Sequence, residues 1–592
     1  MPDTITPTYA LGVGSSLTGR RWFLRPFEDR VALGIAQRLA VPDVVGRLLS
    51  ARGIDAGTAA HFLQPTLRAL LPDPSVLADM DVAADRLAHA VRRGETVGVF
   101  GDYDVDGACS AAVITSLLRT LGCTVLTHVP DRQREGYGPN APALLGMAGQ
   151  GATLIVCVDC GTAAATALAA VEGRADVLVL DHHAAEGPPP PILATVNPNR
   201  LDCTSGHGTL CAAAVAFLTA VATVRDLRRA GWFATRPEPD LRNFLDLVAL
   251  ATVCDVMPLT GLNRALVVQG LRVMARRDRV GVAALLEAAA AHGHPTATTL
   301  GFALGPRINA AGRIGDAGLG LRLLLTADPD EAQRIAILLD STNRQRRDVE
   351  AGMLQAAMDQ AEALHGEDHA ALLAVGADWH PGVVGIVAGR IKERFNRPAL
   401  VGAVVDGTVK GSARSVPGID LGRAVMAARS RGLLHTGGGH AMAAGFSLPL
   451  AAVPEFQDFL DQRLAHARHL PRAADLTIEG TLAIPGATVE LAGHIDRLAP
   501  YGNGNEEPIF AIPRARIARA DRIGKEGNTI RAILEAEDGA RLKSVLFRAG
   551  EGPLATALLD RATPLHVAGH LRAEPWNGNV TPTFFIADAA PA

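Results

Sequence analysis

Lysine is almost missing from this chain. It occurs only at 392, 410, 525 and 543, so arginine supplies nearly all of the 57 basic side chains. Arginine presents a planar fork of donors suited to phosphate, although the plainer source of most of them is a GC-rich coding bias. An overall basic excess is also absent. The formal net charge is -4, so a nucleic acid, if bound, must be bound by a local patch. Cysteine is sparse and scattered, at 109, 123, 157, 160, 203, 211 and 254. The single CxxC, Cys157–Cys160, has no second pair, which argues against a four-thiolate zinc site. The odd count argues against a disulfide framework and for reduced thiols in a cytosol. The opening MPDTITPTYALGVGSS lacks a basic start and an apolar core, so no signal peptide is expected. The longest apolar run, Leu210 to Val224, falls short of the ~20 residues of a membrane span and reads as a buried helix.

What is present is a globular balance, 48% apolar and 20% charged, over 592 residues. That length suggests about four domains. Residues 1–75 read as a mainly helical lead-in. From 76 to 325 short apolar runs alternate with Ala-rich segments. The runs Val97-Gly-Val-Phe100, Leu154–Val158 and Val177–Leu180 are continuous rather than alternating, as in strands covered on both faces. Ala108–Leu121 and Thr162–Glu172 fit crossover helices, which gives a parallel α/β sheet. Residues 326–364 predict a long connecting helix, 365–470 a second α/β domain, and 471–592, with its alternating stretches, a small β-barrel.

Asp102, Asp104 and Asp106 follow the first predicted strand in GDYDVDG. Three carboxylates so close repel one another, and a divalent cation is the simplest compensation. No acidic residue closes a twelve-residue loop, which excludes an EF-hand. Asp159 ends the next strand, Asp181-His182-His183 the one after, and Asp255 follows an apolar helix. Sites in open parallel sheets lie beyond the carboxyl ends of the strands, so these segments deliver Asp and His to one crevice. Carboxylate with imidazole favours Mn²⁺ or Mg²⁺ over thiolate-bound zinc. The number of ligands suits two ions, about 3.5–4 Å apart, which together activate water for displacement at phosphorus. The chemistry is that of a metal-dependent phosphoesterase.

GDYDVDG (101–107), VDCG (158–161), DHH (181–183) and Asp255 resemble the four motifs of the DHH phosphoesterase superfamily. GPRINAAGRI (305–314), HPGVVGIVAGRIKERF (380–395), KGSARSVPGIDL (410–421), GGGHAMAAGF (437–446) and PYGNGNEEPIF (500–510) resemble the RecJ family of single-strand-specific 5′→3′ DNA exonucleases. The resemblance runs from about residue 80 onward. It implies Asp104, Asp106, Asp159, His182 and Asp255 as ligands of two Mn²⁺ or Mg²⁺ ions, with Asp102 a ligand or a close neighbour. Asp181 would orient the imidazoles, and His183 would contact the scissile phosphate and assist the leaving oxygen. Ala214 stands where the family pattern leads one to expect glycine, and His207 matches no family role.

The resemblance extends to the grip on the strand. The second α/β domain is similar to a DHHA1 domain, with Ser412, Arg414, Gly439 and His440 as its contacts. Arg307 and Asn309 in GPRIN face the same cleft by analogy, Arg132 and Arg134 are further candidates, and Arg307, Ser412 and Arg414 together suit a 5′-phosphate. The barrel resembles an OB-fold, in which stacking aromatics bind single strands. Phe547, Trp576, Phe584 and Phe585 are present; most of the phenylalanines are expected in the core, and Trp576 is the expected exposed platform. The implied substrate is single-stranded DNA with a 5′ end, released as 5′-mononucleotides in DNA repair and recombination. A single-strand-binding protein and a RecQ-type helicase are the implied partners, with no membrane, for a cytoplasmic monomer. The rival readings are a small-substrate DHH phosphatase (an oligoribonuclease or pyrophosphatase) and a non-catalytic replication scaffold that has lost metal ligands. The barrel argues against the first and the intact acidic and histidine set against the second.

Overall fold

The computed structural model describes residues 9–132, 134–471, 473–576 and 579–592. The chain forms two compact units. One comprises His61–Arg346 with Pro500–Glu506; the other comprises the residues up to Ala60, Arg347–Ala499 and Glu507–Ala592.

The first unit is built on a five-stranded sheet of β1 (Thr96–Gly101), β2 (Thr124–His128), β3 (Leu154–Val158), β4 (Asp176–Leu180) and β5 (Ala194–Val196). All are parallel, in the order β2-β1-β3-β4-β5. Every residue of β3 is buried, the pattern expected of a strand covered on both faces. α1 (Val105–Thr120) and α2 (Ala212–Arg229) are rich in alanine and bury most of their residues. Small side chains let both helices sit deep in the core, where each larger aliphatic group still contributes about 1.5–3 kcal/mol. The run Leu210–Val224 is thus a core helix, and among the described residues no helix is long and apolar enough to cross a membrane.

The crossover expected over 162–172 is shorter, a turn of helix at Ala165–Leu168 and a 3-10 turn at Ala169–Val171. The residues before it are committed elsewhere. Asp159 and Gly161 have positive φ, and the Thr162 N–H donates to Asp181 at 3.1 Å, so the helix starts late. α3 (Leu245–Cys254) and α4 (Gly305–Ile314) complete the surroundings of the sheet's carboxyl edge. The long helix is present as α5 (Pro329–Gly366).

In the second unit, β6 (Leu372–Gly376), β7 (Ala399–Val405), β8 (Thr408–Arg414), β9 (Thr436–His440) and β10 (Ala443–Pro449) form a mixed sheet in the order β9-β10-β8-β7-β6. Only β6 and β7 run parallel, and α6 (Val384–Phe395) packs on this sheet. The barrel closes through β11 (Phe510–Ile523), β12 (Thr529–Glu535), β13 (Arg541–Leu546), β14 (Leu565–Trp576) and β15 (Asn579–Pro591). Its ring runs β11–β12–β13–β15–β14 and back to β11. The first residues are more than a helical lead-in. Trp22–Leu24 pairs in parallel with Leu476–Ile478, and the fully buried Trp22 donates Nε1–H to Asp588 in β15 at 2.9 Å.

Candidate metal centre

The order β2-β1-β3 means that the chain leaves β1 in one direction and returns on its other side. Such a reversal opens a crevice beyond the two strands, where open α/β sheets bind their ligands. Asp102 follows β1 and Asp159 follows β3, so both stand at that crevice.

Asp104 caps α1, its side chain accepting the Gly107 N–H at 3.0 Å. Gly107 is obligatory: a Cβ there would lie 2.4 Å from the carbonyl oxygen of Asp102. Asp106, one residue into α1, is buried, and its carboxylate accepts the N–H groups of Ala212 at 2.7 Å and Ala213 at 2.8 Å. These are orphan donors at the positive end of α2, whose own N-cap, Cys211, makes no side-chain cap. Ala214, at the position where glycine was expected, is fully buried in that same first turn and leaves both donors free to act.

Asp181 takes four bonds. Its carboxylate accepts from the N–H of His182 at 2.7 Å, of His183 at 3.2 Å and of Thr162 at 3.1 Å, and from the His183 ring at 2.7 Å. Burial alone would push this carboxyl up; the bond and charge of His183 bring it below the usual carboxylate range instead. Burial likewise disfavours the His183 imidazolium, yet Asp181 raises it to about 9. Two asparagines brace the loop from behind. Asn197 donates to the His183 carbonyl at 2.8 Å, and Asn199 to that of His182 at 2.6 Å.

His182 Nε2 lies 3.3 Å from Asp159, 3.4 Å from Asp255 and 3.7 Å from Asp106. The ligand atoms of Asp106, His182 and Asp255 lie within 4.8 Å of one another, as do those of Asp102, Asp104 and Asp159, and those of Asp159, His182 and His183. Three carboxylate oxygens of this cluster are buried with no hydrogen-bond partner among the described residues: Asp102 Oδ1, Asp159 Oδ1 and Asp255 Oδ2. Burial, aided by neighbouring carboxylates, pushes Asp102 and Asp255 up to about 8 and raises Asp159 and Asp106 as well. Such oxygens need positive charge, and hard oxygens beside imidazole form a donor set for Mn²⁺ or Mg²⁺.

The other candidates scatter. Arg132 lies 5.3 Å from the ring centroid of Tyr103, between Asp102 and Asp104 in sequence, while Arg134 is exposed and faces Asp131. Asn309 accepts the Val105 N–H at 3.1 Å, so it braces the acidic loop from α4. Arg307 is buried; it binds Asp340 of α5 at 2.8–3.0 Å and the Ala303 carbonyl at 2.7 Å. In the second unit, Arg414 donates to the Ser412 hydroxyl at 2.9 Å. Gly385, at the start of α6, leaves room for this pair, since a Cβ there would lie 3.0 Å from both Ser412 Oγ and Arg414 Nη2. Gly439, with φ of +146°, could not carry a Cβ against the Ala443 carbonyl 2.4 Å away, and His440 ends β9 exposed. Trp576 closes β14, and its side chain lies outside the described residues. Among the barrel aromatics, Phe584 is core, whereas Phe547 is 60% exposed and stacks on Phe585 at 5.8 Å. His207 sits half-buried in a turn, its N–H on Ser205 Oγ.

The motifs passed over Tyr137, whose hydroxyl lies 3.3 Å from both ring nitrogens of His183. They also passed over Asn197 and Asn199. An NPN placed directly after a strand was the available signal for those two, because Asn side chains bind local backbone.

The DHH family N-terminal domain matches residues 96–252, the DHHA1 domain 368–466 and the RecJ OB domain 478–588. The single-stranded-DNA-specific exonuclease RecJ of Bacillus subtilis is 33% identical over 583 residues, covering 96% of this chain and 71% of that protein. That of Dickeya dadantii is 38% identical over 484 residues, covering 80% and 83%. The crystal structure of RecJ from Thermus thermophilus in complex with Mn²⁺ superposes with a TM-score of 0.80 at 31% identity, over 96% of this chain and 79% of that one; its Mg²⁺ complex gives 0.74 at 30%, over 96% and 78%. With similarity of this extent across all three domains, the chain belongs to the RecJ family of single-stranded-DNA-specific exonucleases.

Proposed function

We propose that this protein is a metal-dependent exonuclease that degrades single-stranded DNA from its 5′ end to 5′-mononucleotides. The observation that carries the reading is the pair of ligand triads that share no residue, Asp102–Asp104–Asp159 and Asp106–His182–Asp255, lined by buried oxygens without donors. Two triads suit two divalent ions, which supply an activated water and stabilise the charge on phosphorus. Asp104, Asp106, Asp159, His182 and Asp255 are read as ligands, with Asp102 beside them. Asp181 fixes the His183 ring through Nδ1, leaving Nε2 to the scissile phosphate and the leaving oxygen. Tyr137 packs edge-on to that ring, with its hydroxyl 3.3 Å from both nitrogens.

Strand recognition falls to the second unit and the acidic rim. Ser412 and Arg414 beside the N-terminal end of α6 combine a hydroxyl, a guanidinium and a helix's positive end, a composition suited to a 5′-phosphate. Gly439 and His440 are read as neighbouring contacts and Arg132 as a contact near Tyr103. Arg307 and Asn309 hold the protein together around the site. On the barrel, Trp576 keeps its expected platform role, and the exposed Phe547 is a second stacking candidate. A single-strand-binding protein and a RecQ-type helicase are the expected partners of a cytoplasmic monomer.

The test is degradation of end-labelled single- and double-stranded DNA with Mn²⁺, Mg²⁺ or EDTA. The reading requires metal-dependent release of mononucleotides from the 5′ end of the single strand alone. Equal attack on duplex, or full activity in EDTA, overturns it.

A further inference from the structure

Asp255 occupies the C-cap of α3, and the residue after it is in an unusual state. Val256 has φ of +57°, a left-handed conformation that a β-branched residue rarely adopts. The hydrogen bonds explain why. Val256 N–H donates to the Val253 carbonyl at 3.2 Å and Met257 N–H to that of Thr252 at 3.1 Å. This is the paired ending of a Schellman motif, in which the left-handed position usually holds glycine. Here valine holds it, and such strain persists only where the surroundings impose the conformation.

The imposing element comes from far along the chain. Asn503 donates its Nδ2–H to the Val256 carbonyl at 2.7 Å, and its own carbonyl accepts the Leu259 N–H at 2.7 Å. One residue thus grips the turn 256–259 at both ends. Its flanking glycines make the fit possible. A Cβ at Gly502 would lie 2.8 Å from Leu259 Cδ1, and Gly504, with φ of +71°, sits 3.1 Å by the same measure from Pro258 Cβ. The loop is stiffened in turn by the buried Asn505, whose side chain donates to the Pro500 carbonyl at 2.9 Å.

We propose that Asn503 is a positioning residue for Asp255: its clamp on the strained Val256 turn sets the carboxylate against Asp106 and His182, and so tunes affinity for the divalent ion held by that triad. The proposal rests on Asp255 being a metal ligand, as read above. Groups that orient metal ligands typically change affinity by about 10–100-fold when removed.

The experiment is a calorimetric Mn²⁺ titration of the full chain, with melting followed separately in EDTA. Asn503→Ala should weaken Mn²⁺ binding at one site by about 10–100-fold while the melting temperature in EDTA stays near that of the wild type. Asn503→Asp keeps the size and the backbone bond to Leu259 but faces the Val256 carbonyl with an acceptor; it should show the same loss. Adding Val256→Gly, which relieves the left-handed strain, should restore most of the affinity to either variant. Unchanged Mn²⁺ affinity in the Asn503 variants overturns the proposal, as does a loss that Val256→Gly leaves uncorrected. Wild-type protein that binds Mn²⁺ without degrading single strands would sink the exonuclease reading and not this one. DNA degradation by a wild type whose metal affinity the variants share would sink only this one.

Discussion

Asp181 and His183 form a closed pair in which a single carboxylate oxygen, Oδ1, accepts both the ring Nδ1–H and the backbone N–H of the same histidine. Turning the ring therefore costs its bond to a carboxylate that the loop's own backbone holds in place. Asp181→Asn should remove the charge that raises His183 while keeping the shape, and lower kcat by about 10²–10⁴-fold, the usual worth of a positioned proton-transfer group. Mn²⁺ affinity should stay within a few fold, because asparagine keeps the oxygen that accepts the His182 N–H and so leaves the ligand loop in place. Saturating-metal kinetics together with a Mn²⁺ titration read the two effects apart; equal loss in both would make Asp181 a determinant of metal binding.

Arg414 and Arg307 should behave differently, although sequence alone groups them. Arg414→Ala should lose the preference for a 5′-phosphate over a 5′-hydroxyl, by roughly 1.5–3 kcal/mol in kcat/KM for one charge-assisted hydrogen-bonding group. Arg307→Ala instead leaves the buried Asp340 facing the exposed Arg344 without its buried partner. Breaking a buried pair costs about 3–5 kcal/mol of stability at the upper end, so the expected signature is a lower melting temperature with end preference retained. Matched oligonucleotides and thermal denaturation of both variants decide it.

On the barrel, Phe547→Ala should weaken single-strand binding by about 1–3 kcal/mol per stacked base and leave stability nearly untouched. Phe584→Ala should do the reverse, because the ring is fully buried and a cavity of that size costs about 3–5 kcal/mol. Fluorescence anisotropy with a labelled oligonucleotide, paired with melting curves, checks both. Unaltered DNA affinity in Phe547→Ala would remove the platform.

A pH effect should come from the second unit. His369 pairs through Nδ1 with Asp461, which also accepts the Ala370 N–H at 2.7 Å and the Gln457 side chain at 3.0 Å. Burial opposes the charged ring, but the bond and charge of Asp461 raise it above its ordinary 6.5. A raised histidine contributes its full stability below the unfolded value and loses it as pH climbs through the folded one. The melting temperature of this unit should fall as pH rises above the ordinary histidine value of about 6.5, and His369→Gln should flatten the slope. An identical slope in the variant would assign the effect elsewhere.

The strands were legible because both faces of the first sheet are covered, which writes continuous apolar runs such as 154–158. The acidic cluster was legible because its members are close in sequence or end successive strands. What escaped were contacts between distant polar groups. Nothing local tells that Arg307 meets Asp340, or that Asn503 meets the turn 247 residues before it. Asn309 was picked out for the strand and turns inward to the Val105 amide, since an asparagine in a helix reads the same whether it faces a ligand or a loop. The N-terminal segment looked peripheral because Trp22 has no periodic neighbours that announce a strand.

That tryptophan ties synthesis to structure. Trp22 buries itself against Leu476, Ile478, Ala511, Ala568 and Ala590, and its indole waits for Asp588, a separation of 566 residues. At ribosomal speeds of about 5–20 residues per second, roughly half a minute to two minutes pass between the appearance of the two partners. During that interval the segment around Trp22 is an apolar surface without its cover, whereas the parallel sheet has its last strand once residue 196 is made. Deleting the barrel would make that interval permanent. A truncated chain would therefore lose the proposed strand-binding surface and also expose the apolar patch around Trp22, so poor solubility of such a fragment would report the missing cover on Trp22 rather than a failure of the catalytic half to fold.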